Sequence, residues 1–155
     1  MLYLIQKSRD IFFCHLKILK IGYIDRILII QYFGDAADLC MRAGMDMILI
    51  HGGHGMFISQ FLSPHANKRT DHYGGSVENR SRFVYELLSA IRERVGNKVA
   101  IEYRLSAEEL TPDGTRLADT GSTSAAAEKP RCSTGGTTSY NPDLTSKNTS
   151  ENSTY

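Results

Sequence analysis

The sequence predicts an α/β unit in the order helix, strand, helix, strand, and three observations predict it. Apolar residues recur at helical spacing over residues 25–43 and again over residues 77–95. Two short, mostly apolar runs of strand length, residues 46–50 and 99–105, alternate with those segments. Glycines, Gly44 and Gly96, stand where each helix must stop. Alternating helices and strands define the α/β class, and a strand–helix–strand of this length implies a parallel pair with a right-handed crossover. Pattern alone leaves both an open sheet and a closed barrel available.

The first helix rests on Ile30, Phe33, Ala37 and Cys40, with Met41 beside them and Asp35, Asp38 and Arg42 on other faces. That spacing makes one apolar stripe, and Gly44 is a natural C-terminal stop. Asp46-Met47-Ile48-Leu49-Ile50 then reads as a strand buried on both faces, as in a parallel sheet. It runs into His51-Gly52-Gly53-His54-Gly55, whose three glycines allow unusual backbone angles and close approach of a ligand. Residues 56–62 suit a short helix, stopped by Ser63-Pro64, and residues 65–75 read as a polar loop. Ser76 is an N-cap for the second long helix, whose stripe is Phe83, Val84, Leu87, Leu88, Ile91 and Val95. The charged stretches 67–71 and 78–82 are either solvated faces or an internal polar network tying the loop to that helix; Tyr73-Gly74-Gly75 favours the network.

Composition divides the chain of 155 residues into three parts. Residues 1–32 form a divergent apolar leader, residues 33–113 carry the globular pattern, and residues 114–155 read as a low-complexity disordered tail. From Thr115 onward there is no Ile, Val, Phe or Met, and 16 of 41 residues are Ser or Thr, too little apolar surface to offset the entropy of ordering. Charges interrupt every apolar run of the leader, so no membrane span or signal peptide is expected and the location is read as cytoplasmic. A net charge of +1 gives no reason to expect nucleic acid as a partner. Cys14, Cys40 and Cys132 show no metal spacing, and their odd number argues against a disulfide framework. Asn148-Thr149-Ser150 and Asn152-Ser153-Thr154 match the glycosylation pattern as products of composition.

Ligands of α/β folds sit at the C-terminal ends of the strands. His51 and His54 follow the first strand, and Arg104 and Ser106 end the second, so a parallel pair brings two imidazoles and a guanidinium to one rim. Imidazoles can donate hydrogen bonds to a carbonyl oxygen and polarise it, and a permanent cation suits an electron-accepting ring edge. Two other readings of the pair are a His-based metal-binding module and simple strand capping. No spacing motif supplies a third or fourth metal ligand, so no metal is expected.

Ile50-His51-Gly52-Gly53-His54-Gly55, Ser59 to Pro64, Asn67 to Asp71, Tyr73 to Ser76, Glu78-Asn79-Arg80 and Arg104 to Ala107 together closely resemble the old yellow enzyme family, FMN-dependent NADH:flavin oxidoreductases and ene reductases that include 2,4-dienoyl-CoA reductase-like enzymes. The resemblance covers residues 33–113, about a quarter of a (β/α)8 TIM barrel. It implies FMN as cofactor, NAD(P)H as reductant, and hydride transfer through the flavin to an unsaturated carbonyl or enoyl substrate. His51 and His54 then match the pair that binds the substrate carbonyl, and Arg104 the residue facing the flavin N1/O2 edge. Met56 stands where many relatives carry a tyrosine proton donor, and a thioether cannot donate a proton. The flavin phosphate of such barrels is held after strands seven and eight, which the resemblance does not reach. The expectation is a truncated, catalytically incompetent copy. The alternative is a non-catalytic barrel fragment without flavin that self-associates or is completed by a complementing barrel fragment.

Overall fold

The computed structural model describes residues 21–128 and 133–140. The readings on residues 1–20, on Cys14 and Cys132, and on Asn148 and Asn152 lie outside the described residues. The elements in chain order are α1 (Tyr23–Arg42), β1 (Met47–Gly52), α2 (Phe57–Leu62), α3 (Val77–Val95), β2 (Ala100–Glu109), α4 (Leu117–Glu128) and β3 (Ser133–Tyr140). The three strands make one parallel sheet in the order β1-β2-β3.

Local chemistry explains the boundaries. At the start of α1 the Gly22 N–H donates to the Asp25 carboxylate at 2.9 Å, satisfying one backbone donor of the first turn. At its end Gly44 adopts φ 82°, while Gly44 N–H reaches Met41 O at 3.0 Å and Met45 N–H reaches Cys40 O at 3.1 Å. This pair of bonds is a Schellman stop, and it needs a left-handed residue at Gly44. The Ser76 hydroxyl caps α3 by accepting from Asn79 N–H, and Gly96 closes that helix at φ 59°.

One core lies between the sheet and helices α1 to α3. Phe83, Val84, Leu87, Leu88 and Ile91 of α3 are fully buried against Ile48 and Ile50 of β1 and Ile101, Tyr103 and Leu105 of β2. Phe61 of α2 stacks on Phe83 with ring centroids 4.2 Å apart. α1 packs on α3, with Gly34 facing Ala90 O and the Arg94 side chain.

Three expectations need correction. β1 is buried on one face only: Ile48 and Ile50 are covered, whereas Met47 and Leu49 are 52% and 37% exposed, because among the described residues the helices all pack on one side. The leader boundary at residue 32 falls inside α1, which runs unbroken from Tyr23. Within the segment read as a disordered tail, residues 117–128 form a helix and residues 133–140 a strand. Among the described side chains of α4 the buried ones are threonines: Thr120 Oγ1 donates to Ala107 O, and the Thr123 and Ser81 hydroxyls are 3.0 Å apart. β3 pairs along β2, with Glu102 opposite Ser133 and Arg104 opposite Gly135. Hydroxyl–backbone bonds and strand pairing dock these segments, and a count of apolar residues does not register either.

The loop between α2 and α3 is the internal network. Asn67, 5% exposed, donates through Nδ2 to Phe61 O and Tyr73 O, both at 2.7 Å, and accepts from Arg69 N–H at 3.1 Å. Arg80, also buried, donates through Nε to Leu62 O at 2.7 Å and through Nη1 to Gly75 O. Arg82 donates to His72 O at 2.9 Å.

Candidate functional site

Register builds the site. His51 is the direct partner of Arg104 and Gly52 of Leu105, at the C-terminal ends of β1 and β2. Ile48, Ile50 and Gly52 of β1, with Ile101, Tyr103 and Leu105 of β2, face the helices. Side chains alternate along a strand, so His51 and Arg104 stand side by side on the opposite, open face, with Glu102 and Ser106. The structure therefore brings the predicted imidazole and guanidinium to one rim.

A tight turn returns the chain to that rim. Met56 N–H bonds Gly53 O at 3.2 Å, and both central residues, His54 and Gly55, have positive φ, 56° and 69°. Two left-handed central residues are the mark of a type I′ turn. The conformation is ordinary for glycine but costs a histidine on the order of 1–2 kcal/mol. It sets the His54 ring 5.0 Å from the His51 ring, edge to face at 70°. The His54 N–H donates to Ser106 Oγ at 3.0 Å, tying the turn to the end of β2.

The electrostatics keep His51 uncharged near neutrality. Burial lowers its pKa from the ordinary imidazole value, and the neighbouring His54 and Arg104 charges lower it further. Neutral imidazole carries one N–H donor and one acceptor. His51 Nδ1 and Arg104 Nε are both buried without a hydrogen-bond partner. Such atoms are rare in native structures and mark places where a bound molecule can supply the partner.

Met56 precedes α2 as its N-cap and its carbonyl accepts the Ser59 hydroxyl at 2.7 Å, so it closes the turn two residues after His54. Behind the rim, a cavity of about 10 Å³ bordered by Gly52, Ser106, Glu109 and Thr120 has room for at most one water. Neither it nor the cleft of about 240 Å³ beside Arg26 and Tyr73 is lined by His51, His54 or Arg104. Among the described residues no three His, Cys, Asp or Glu side chains gather as a metal site, and no helix is long and apolar enough to cross a membrane.

Two features of the site were not read from the sequence. One is Ser106 as acceptor for His54 N–H: it was seen at the rim, but no spacing rule links residues 52 apart. The other is the close approach of Tyr103 to Gly52. A Cβ at Gly52 would stand 2.2 Å from the Tyr103 hydroxyl oxygen, so the ring lies directly beneath the end of β1.

A sequence family described as NADH:flavin oxidoreductase / NADH oxidase matches residues 24–151. The chain is 48% identical over 90 residues to an NADPH dehydrogenase of Bacillus pumilus (strain SAFR-032), covering 58% of this chain and 26% of that protein. It is 47% identical over 89 residues to an NADH oxidase of Thermoanaerobacter brockii, covering 57% and 14%. Among solved structures, histamine dehydrogenase from Rhizobium sp. 4-9 matches with a TM-score of 0.63 and 38% identity, over 66% of this chain and 15% of that one. A 2-naphthoyl-CoA reductase complex matches with a TM-score of 0.67 and 30% identity, over 72% and 18%. The chain thus spans about a quarter or less of the relatives it matches. Its parallel α/β unit is consistent with part of a barrel.

Proposed function

Because the chain belongs to the NADH:flavin oxidoreductase / NADH oxidase family, we propose that its rim is the carbonyl-binding and flavin-edge part of an FMN-dependent NAD(P)H:acceptor oxidoreductase site. One observation carries this reading: His51 and Arg104 are register partners on the open face, and each holds a buried nitrogen with no protein partner. FMN, when bound, supplies the hydride chemistry, taking a hydride from NAD(P)H and passing it to an activated C=C bond. The residues present fit such a group: a permanent cation for an electron-rich ring edge, and imidazoles that can donate to an oxygen.

In this reading His51, neutral near pH 7, and His54 hold the carbonyl oxygen of an unsaturated carbonyl or enoyl substrate. Their hydrogen bonds stabilise the negative charge that develops on that oxygen, an effect of about 10²–10³ in rate for one such donor. Arg104 would face the flavin N1/O2 edge and offset negative charge there. Met56 cannot protonate the substrate carbon, so either water or another residue delivers that proton or the alkene half-reaction is impaired.

A second reading, a barrel segment that keeps the rim but binds no flavin, is favoured by the sheet itself. β1 has no strand on its outer edge among the described residues, and the inner face carrying Met47 and Leu49 is open. Such an edge invites pairing with another chain, which would make self-association or a complementing barrel segment part of the active form. The test is addition of FMN to the purified full chain, followed by NADH or NADPH and then cyclohex-2-enone, with flavin absorbance as the readout. The proposal expects flavin uptake, bleaching by the nicotinamide and colour return on the enone. A folded chain that stays colourless with FMN refutes it and supports the second reading.

A further inference from the structure

We infer that Ser106 is a positioning residue that holds His54 in its left-handed turn and so sets the angle between the two imidazoles. The inference deepens the proposed function, since it concerns the same rim. The Ser106 hydroxyl oxygen accepts the His54 N–H at 3.0 Å, from a strand 52 residues away. A Cβ built on Gly53 would lie 3.1 Å from that oxygen and 3.3 Å from the Ser106 N, so the turn is laid directly across the end of β2. With His54 at φ 56° and Gly55 at φ 69°, the Gly53–Met56 bond closes the turn but leaves the His54 amide to find a partner outside it. Ser106 is that partner. It couples the exit of β1 to the exit of β2 at the level where His51 faces Arg104. Without the hydroxyl, a histidine in a disfavoured conformation loses this backbone tether to β2, and the edge-to-face placement of the rings 5.0 Å apart loses its support.

The test uses the full chain, without added flavin, labelled with ¹⁵N and ¹³C-histidine, as wild type, Ser106→Ala and Ser106→Thr. In the wild type the His54 amide should exchange with solvent at least about tenfold more slowly than an unprotected amide, and the two rings should show a mutual NOE. Ser106→Ala should abolish both while leaving Ile101 and Tyr103 amides protected, and the His51 imidazole should titrate at higher pH as His54 moves away from it. Ser106→Thr, which keeps the hydroxyl, should restore the His54 protection. An unprotected His54 amide in the wild type overturns the inference even if Ser106→Ala fails to fold. So does a Ser106→Ala spectrum with the protection, the NOE and the His51 titration all unchanged. Because these readouts need no flavin, they stand apart from the FMN titration that judges the proposed function.

Discussion

Replacing Gly52 with alanine should destabilise the fold by about 2 kcal/mol, within the usual range for forcing extra carbon into a packed core. The added Cβ would lie 2.2 Å from Tyr103 Oη, 2.4 Å from Cε2 and 2.5 Å from Cζ, against 3.4 Å or more for an ordinary contact. The ring must therefore retreat by about 1 Å, and Tyr103 is fully buried in a close-packed core. Removing the hydroxyl alone does not relieve the clash, since Cε2 and Cζ remain. Tyr103→Leu removes the ring, and in that background the added cost of Gly52→Ala should fall below about 0.5 kcal/mol, a coupling that a double-mutant cycle reads directly. The assay is urea unfolding followed by far-ultraviolet circular dichroism, where 2 kcal/mol moves the midpoint by about 1 M. Equal midpoints for wild type and Gly52→Ala, or the same loss in both backgrounds, would refute the packing of Tyr103 beneath the end of β1.

Three further outcomes follow from the same geometry. His51 has its pKa lowered in the fold, so the unfolded chain binds its proton more readily; this contribution makes stability fall as pH drops below about 6.5, and His51→Gln should flatten the difference between urea midpoints at pH 7.5 and 5.5. Asn67→Asp should cost more than Asn67→Ala, about 3 against about 2 kcal/mol, because a carboxylate oxygen would face the Phe61 and Tyr73 carbonyls where Nδ2 now donates; thermal melts of both variants decide it. Met56→Tyr, placing a phenolic donor two residues after His54, should raise turnover of cyclohex-2-enone by about tenfold or more while leaving flavin reduction by NAD(P)H unchanged, as stopped-flow absorbance of the two half-reactions would show.

The parts of the fold legible in the sequence are those with apolar period. The α3 stripe from Phe83 to Val95 is buried as its spacing demands, and Gly44 ends α1 because only a left-handed residue completes that stop. The rim was legible too, since parallel pairing leaves the residues after both strands on one side. What period and composition could not show is polar docking. Thr120 and Thr123 bury hydroxyls on backbone and side-chain partners, so α4 forms where apolar residues are scarce. The one-sided burial of β1 was equally hidden, because an apolar strand reads the same whether one face or two are covered. Ser106 and Tyr103 gain their roles from register and from a missing Cβ, both of which exist only once the strands are paired.

The most direct test of the flavin-edge assignment is an FMN titration, followed by flavin fluorescence, of the full chain and of Arg104→Met, a variant that keeps length and removes charge. The account predicts saturable binding by the wild type and at least about tenfold weaker binding by the variant, with both chains equally folded by circular dichroism. Equal affinity in the two, or no binding by the folded wild type, contradicts the assignment of Arg104 and with it the reading of the rim.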